Sequence, residues 1–157
     1  MQVEIYSDGS SRGNPGPGGY GTVLRYVTPE GEEHIKELSG GYSLTTNNRM
    51  ELLGAIVGFE SLKKPCEVVF TSDSKYVTDA FNQGWIHNWK RKNWIKSDKE
   101  RVKNRDLWER LLSAVEPHKV TFVWVKGHNG HKYNERCDAL ATAAADADNL
   151  EENMEQI

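Results

Sequence analysis

Val3 to Ser7 alternates apolar and polar positions in the manner of a strand, and it delivers Asp8 at its end. Tyr20 to Tyr26 and His34 to Leu38 alternate on either side of Pro29-Glu30-Gly31, which predicts a hairpin; Gly40-Gly41 is expected to break its second strand. Leu52, Ala55, Ile56 and Phe59 follow the i, i+3, i+4, i+7 spacing of an amphipathic helix that starts near Asn48 and stops before Pro65. Val68 to Thr71 is a short apolar run leading into Ser72-Asp73-Ser74, a strand feeding a helix start. Helical segments continue through Phe81 and again from Ile86 to Trp94. Leu107, Leu111, Leu112 and Val115 predict another amphipathic helix closed by Pro117, Val120 to Val125 a fifth strand, and Cys137, Leu140, Ala141 and Ala144 a last helix. The order βββαβαααβα predicts an α/β fold, a five-stranded mixed sheet with helices packed on it.

Length changes this picture little: 157 residues suit one domain, expected over 1–147, and 148–157 reads as a frayed acidic tail. A charged fraction of 27% without a long apolar run excludes a membrane-spanning chain, and the N-terminus has no pattern of a secretory signal. Cys66 and Cys137 are too few for a disulfide framework or a zinc site, so both are expected as buried reduced thiols in a cytoplasmic protein.

Charge changes it more. The net charge of −3 argues against a polyanionic partner, yet Lys90 to Arg105 holds eight bases and two acids, a local +6 that leaves −9 for the rest. A basic island on an acidic body is what a polyanion-binding face requires. Trp85, Trp89 and Trp94 are interleaved with it; such indoles suit a small aromatic core, a nucleic-acid groove, or both at once.

The candidate chemistry is carboxylate chemistry. Asp8 and Asp73 stand at strand ends, where an open α/β sheet places its ligands, and Glu51 stands at the start of a helix. Side by side such groups repel unless a cation compensates, and oxygen-only donors favour Mg²⁺ or Mn²⁺. Asp138, placed in the first turn of the last helix, is a fourth candidate. Plainer roles compete for each. Asn48-Arg49-Met50-Glu51 fits a capping box, Asp73-Ser74 a helix cap, Asp138 a partner for a helix dipole and Asp8 a turn. His128, between Gly127 and Gly130, is either a proton shuttle or a surface histidine. The six glycines from Gly9 to Gly21 match no nucleotide-binding loop and serve tight turns and close backbone approach.

Five blocks in one order decide among these alternatives. They are Asp8-Gly9-Ser10; Asn14-Pro15-Gly16-Pro17-Gly18-Gly19-Tyr20-Gly21; Thr45-Thr46-Asn47-Asn48-Arg49-Met50-Glu51-Leu52; Thr71-Ser72-Asp73-Ser74; and Val125-Lys126-Gly127-His128, closed by Asn134-Glu135-Arg136-Cys137-Asp138. Together they resemble bacterial type-1 ribonuclease H over nearly the whole chain. The resemblance implies a monomeric, metal-dependent endonuclease that cuts the RNA strand of an RNA–DNA hybrid and leaves 3′-hydroxyl and 5′-phosphate ends. It implies two Mg²⁺ ions, with Mn²⁺ as substitute, on Asp8, Glu51, Asp73 and Asp138, and a mobile histidine at His128. It also implies groove and 2′-hydroxyl contacts at Asn14, Asn47 and Asn48, and a phosphate contact at Thr46. The family's DNA-gripping handle falls on the stretch with Trp85, Trp89, Lys90, Arg91 and Lys92. Lys75 stands where relatives often carry glutamine, which implies a phosphate contact in place of a base contact. Ser11 replaces a cysteine without expected loss, and Leu44 replaces an arginine, which implies weaker backbone binding.

Overall fold

The computed structural model describes residues 2–127, 130–147 and 150. Three strands, β1 (Gln2–Ser11), β2 (Gly16–Val27) and β3 (Glu33–Thr45), form an antiparallel meander. Helix α1 (Asn47–Glu60) then crosses to β4 (Glu67–Ser72), which lies parallel to β1. Helices α2 (Lys75–Asn82), α3 (Trp85–Arg91) and α4 (Arg105–Val115) lead to β5 (Lys119–Trp124), parallel to β4, and α5 (Lys132–Ala145) closes the order. The sheet runs β3-β2-β1-β4-β5, with β1 at its centre. The expected element order and sheet are those observed.

Helices cover both sheet faces. The Thr22 hydroxyl donates to the Gly54 carbonyl of α1 at 2.7 Å, whereas a Cβ on Gly19 would lie 2.7 Å from the Ala141 carbonyl oxygen of α5. Central β1 is therefore buried continuously from Ile5 to Gly9, and the alternation read in its sequence does not sort its side chains into wet and dry faces. Helix α1, expected to be amphipathic, is likewise buried nearly all round, because α4 packs on the side away from the sheet.

Close approach explains more of the glycines than turns do. A Cβ on Gly9 would stand 2.5 Å from the Glu51 backbone nitrogen, so glycine lets α1 lie directly on β1. The expected break at Gly40-Gly41 does not occur: both residues pair with β2, opposite Tyr20 and Gly19, and the missing Cβ atoms make room for the Tyr20 ring and for α5. Strand β3 thus continues to Thr45 and delivers the chain to α1.

The main core joins Ile5, Leu52, Ile56, Phe59 and Phe70 to Trp108 and Leu111 of α4. Burying each such side chain contributes roughly 1.5–3 kcal/mol. A smaller cluster, Tyr6, Val23 and Cys137, lies under α5. Both cysteines are free and buried. Among the described residues no helix is long and apolar enough to cross a membrane.

Candidate active site

Parallel pairing of β1 with β4 brings the first two carboxylates together. The ladder matches Tyr6 with Thr71, its last pair, so Asp8 and Asp73, each two residues further on, emerge side by side where the parallel pairing of the two strands ends. Glu51 arrives from α1, which Gly9 allows to sit close. Ligand oxygens of Asp8, Glu51 and Asp73 all lie within 4.8 Å of one another. Asp8 and Glu51 are each only 5% exposed. The Gly9 N–H donates to Asp8 Oδ1 at 2.9 Å and to Glu51 Oε1 at 3.1 Å, which ties the two groups at one backbone amide. Asp138 of α5 is not one of the three, but its carboxyl adds to the negative charge felt by Asp8.

The plainer roles do not survive this geometry. Thr46, not Asn48, caps α1, its hydroxyl accepting from the Arg49 N–H at 3.2 Å; Glu51 therefore stands in the second turn and serves Gly9 of another element. Ser74 caps α2 by accepting from Val77, leaving Asp73 free of that task. Helix α5 starts at Lys132, which puts Asp138 in its second turn rather than its first, too far along for the helix-dipole role. Asp8 lies within β1, paired with Gly21 of β2, and not in a turn.

Crowding has a chemical consequence. Burial, then the charge of Asp73 and the Asp138 carboxyl, push the Asp8 pKa up to about 8. Burial and the charge of Asp8 likewise raise Glu51 well above the usual carboxylate range. The Cys137 thiol beneath is pushed up by burial and by Asp8. Glu51 Oε2 is buried with no hydrogen-bond partner. Such an orphaned oxygen costs about 1–3 kcal/mol or more, and a cation would satisfy it while relieving the repulsion. An all-oxygen donor set fits a hard divalent ion, so the residues present suit a metal.

The other expected residues lie outside the group of three carboxylates. Asn14 Oδ1 accepts from the Asn47 N–H at 3.0 Å, holding the glycine-rich loop against the exposed first turn of α1, which carries Asn47 and Asn48. Lys75 is exposed, its ammonium 4.6 Å from the centre of the Trp124 ring. Lys90, Arg91 and Lys92 are exposed at the end of α3, and the Arg91 guanidinium hydrogen-bonds Asn88. The tryptophans divide between their two possible roles. Trp85 is 43% exposed, Trp94 is buried, and Trp89 packs edge-on against Trp108 at 5.4 Å. Trp94 is not helical as expected: α3 ends at Arg91, and Asn93 and Trp94 adopt positive φ. Trp85, Trp89, Lys92 and Lys96 line a cleft of ≈ 340 Å³ on this protrusion. His128 and the 148–157 tail, apart from Leu150, lie outside the described residues.

Sequence reasoning missed two groups. Trp124, at the end of β5, donates its indole N–H to the Asp73 carbonyl at 2.9 Å. Arg49, 4% exposed, pairs with Asp106 through both guanidinium nitrogens at 3.0 and 2.7 Å and also reaches Asn104. A lone base among apolar helix residues was the one available signal for Arg49. Nothing local marked Trp124, because its partner is distant in the chain.

Known proteins resemble this chain in sequence and in fold. A family model described as RNase H matches residues 1–146. The chain belongs to the ribonuclease H family. It is 62% identical over 151 residues to a ribonuclease H of Lachnoclostridium phytofermentans, covering 96% of each chain. It is 56% identical over 151 residues to the ribonuclease H of Klebsiella pneumoniae subsp. pneumoniae, covering 96% of this chain and 94% of that one. Among solved structures it is similar to LC9-RNase H1, a type 1 RNase H with the type 2 active-site motif, with TM-score 0.83, 35% identity, and 92% and 72% of the two chains covered. It is also similar to LC11-RNase H1 in complex with RNA/DNA hybrid, with TM-score 0.65, 25% identity, and 92% and 96% covered. Ribonuclease H enzymes cleave the RNA of RNA–DNA hybrids, and membership makes this chain a metal-dependent endoribonuclease.

Proposed function

We propose that this chain hydrolyses the RNA strand of RNA–DNA hybrids at the Asp8–Glu51–Asp73–Asp138 cluster and leaves 3′-hydroxyl and 5′-phosphate ends. The observation that carries the proposal is three carboxylates from three elements with ligand oxygens within 4.8 Å. Asp8, Glu51, Asp73 and Asp138 would hold Mg²⁺, as two ions with substrate, and Mn²⁺ would substitute. When bound, Mg²⁺ supplies the positive charge that activates water and steadies the departing 3′-oxygen. The carboxylates orient and charge-balance the site, and their burial excludes bulk water from it. His128 moves a proton at the scissile phosphate.

Substrate is read around that centre. Asn14, Asn47 and Asn48 present amides suited to 2′-hydroxyls, the group that distinguishes RNA from DNA, while Thr46 and Lys75 serve phosphates. Trp85 and Trp89 supply apolar surface, and Lys90, Arg91 and Lys92 supply charge for the DNA strand. The enzyme works as a monomeric cytoplasmic domain spanning residues 1–147. Incubation with labelled hybrid, duplex RNA and duplex DNA, each with and without Mg²⁺, tests the proposal. Metal-dependent cutting of the RNA strand of the hybrid alone is expected; metal-independent cutting, or equal cutting of duplex DNA, would overturn it.

A further inference from the structure

The end of β5 closes on Asp73 from two directions. Beyond the last β4–β5 pair, Ser72 with Trp124, the Trp124 indole N–H donates to the Asp73 carbonyl at 2.9 Å, and the Val125 N–H donates to Ser72 at 3.0 Å. Three residues on from Trp124, Gly127 faces the Asp73 side chain: a Cβ there would stand 2.7 Å from Asp73 Oδ2. The Asp73 carboxylate is thus flanked at a position where an alanine would push it. On the following helix, the Lys75 ammonium rests on the same indole ring.

Trp124 is 41% exposed. Its side chain gives up much of the burial that usually justifies a tryptophan, and its one polar atom is committed to Asp73. A hydrogen bond at a residue's own carbonyl fixes the peptide plane after its Cα, and with it the direction of the Cα–Cβ bond. Site groups must hold their productive geometry within about 0.5 Å and 10–20°. A phenylalanine would still offer Lys75 an aromatic face, a smaller one, but no N–H.

We infer that Trp124, with Gly127, is a positioning residue for the metal-binding carboxylate of Asp73, acting through the indole N–H on the Asp73 backbone and not by contact with substrate. The inference rests on the assignment of Asp73 as a metal ligand proposed above. Outer partners of ligating groups typically carry about 10–100-fold in metal affinity or activity when removed.

The experiment is a Mn²⁺ titration by calorimetry on the full chain without nucleic acid, for wild type, Trp124→Phe, Gly127→Ala and Asp73→Asn. It is paired with fluorescence anisotropy of labelled hybrid binding in Ca²⁺ and with thermal unfolding. Trp124→Phe should weaken Mn²⁺ binding about tenfold. Hybrid affinity in Ca²⁺ should stay within about twofold, and turnover should fall in kcat with KM little changed. Wild-type Mn²⁺ affinity in Trp124→Phe would overturn the inference whatever the variant's melting temperature. If Trp124→Phe melts low, the titration is run at a temperature where circular dichroism shows it folded. Gly127→Ala, which displaces Asp73 Oδ2 without touching the indole, tests the glycine's share of the inference. Weakened Mn²⁺ binding supports that share, and unchanged binding overturns it. Asp73→Asn separates the two layers of argument. Loss of Mn²⁺ binding there with wild-type behaviour in both other variants defeats the positioning role alone. Wild-type Mn²⁺ binding in Asp73→Asn defeats the ligand assignment itself.

Discussion

Asp8 carries two opposite duties, since the group that would hold a cation also burdens the chain when no cation is there. Its carboxyl, raised to about 8 in the fold against about 3.9 in an unfolded chain, favours the protonated folded state. Stability of chelated protein should therefore fall as pH rises from about 4 to about 8, by an amount on the order of a few kcal/mol shared across the cluster. Asp106 works in the other direction: the Arg49 guanidinium holds its carboxyl below the usual range, so its contribution is present above about pH 4 and is lost on further acidification. Asp8→Asn should raise the melting temperature of the chelated protein at pH 8 by several degrees and change it little at pH 4, while abolishing cleavage. A melting profile against pH in EDTA checks the first outcome, and a hybrid cleavage assay checks the second. His128→Ala tests a different function. It should slow kcat by roughly 10²–10⁴-fold while leaving the Mg²⁺ activation curve in place, because this histidine is assigned proton transfer and not metal binding; wild-type turnover would remove it from the mechanism.

Among elements, the α1–β1 contact and the α3 protrusion bear on function in separable ways. Gly9→Ala would drive a Cβ into the backbone of α1 at Glu51, so the helix must move or the strand must. Overpacking of this kind costs about 1–3 kcal/mol, and here it also shifts a carboxylate. The expected outcome is a lower melting temperature together with a fall in kcat at temperatures where the variant remains folded, measured by steady-state kinetics beside circular dichroism. On the protrusion, Lys90, Arg91 and Lys92 are exposed, on and just after a helix that carries none of the carboxylates. Their replacement by glutamine should raise KM with kcat nearly unchanged, since phosphate contacts away from the scissile bond add affinity to ground and transition states alike. The salt dependence of hybrid binding should flatten as well, because each lost phosphate contact releases about 0.9 fewer counterions on B-form DNA. An unchanged KM and an unchanged salt slope would remove these residues from the interface.

For the whole molecule, the relevant feature is the separation of charge: +6 between Lys90 and Arg105 against −9 elsewhere. A carboxylate centre repels a polyanion, and a basic face elsewhere on the chain is suited to supply attraction without neutralising the carboxylates. On the proposed substrate reading, specificity would depend on a duplex that offers phosphates to the protrusion and 2′-hydroxyls to the Asn14–Asn48 surface at the same time. A chimeric duplex with several consecutive ribonucleotides in one DNA strand should be cut, whereas one whose 2′-hydroxyls are all removed should bind and resist cleavage. Product mapping on such chimeras measures this, and cutting that ignores 2′-hydroxyl position would defeat the substrate assignment.

Much of this was legible in the chain itself. Element order followed from apolar spacing, because period 2 and period 3.6 leave different marks, and the basic island followed from counting. The five motif blocks named the four carboxylates, His128 and the family together. What local spacing and propensity left open was which competing role each carboxylate fills. Glu51 could cap its own helix until the fold showed Thr46 in that place and Gly9 donating to Glu51. Gly40-Gly41 could break a strand until α5 and the Tyr20 ring were seen to require the missing side chains. Trp94 could extend α3 until its backbone showed a left-handed turn into the core. Trp124 and Arg49 carried no local mark, since their partners lie 51 and 57 residues away. Local pattern determines elements because propensity and periodicity act over a few residues. The pairing of Asp8 with Asp73, the approach of Glu51 across Gly9, and the indole hold on Asp73 are contacts between distant segments. Only the closing of the sheet and the seating of helices upon it decided them.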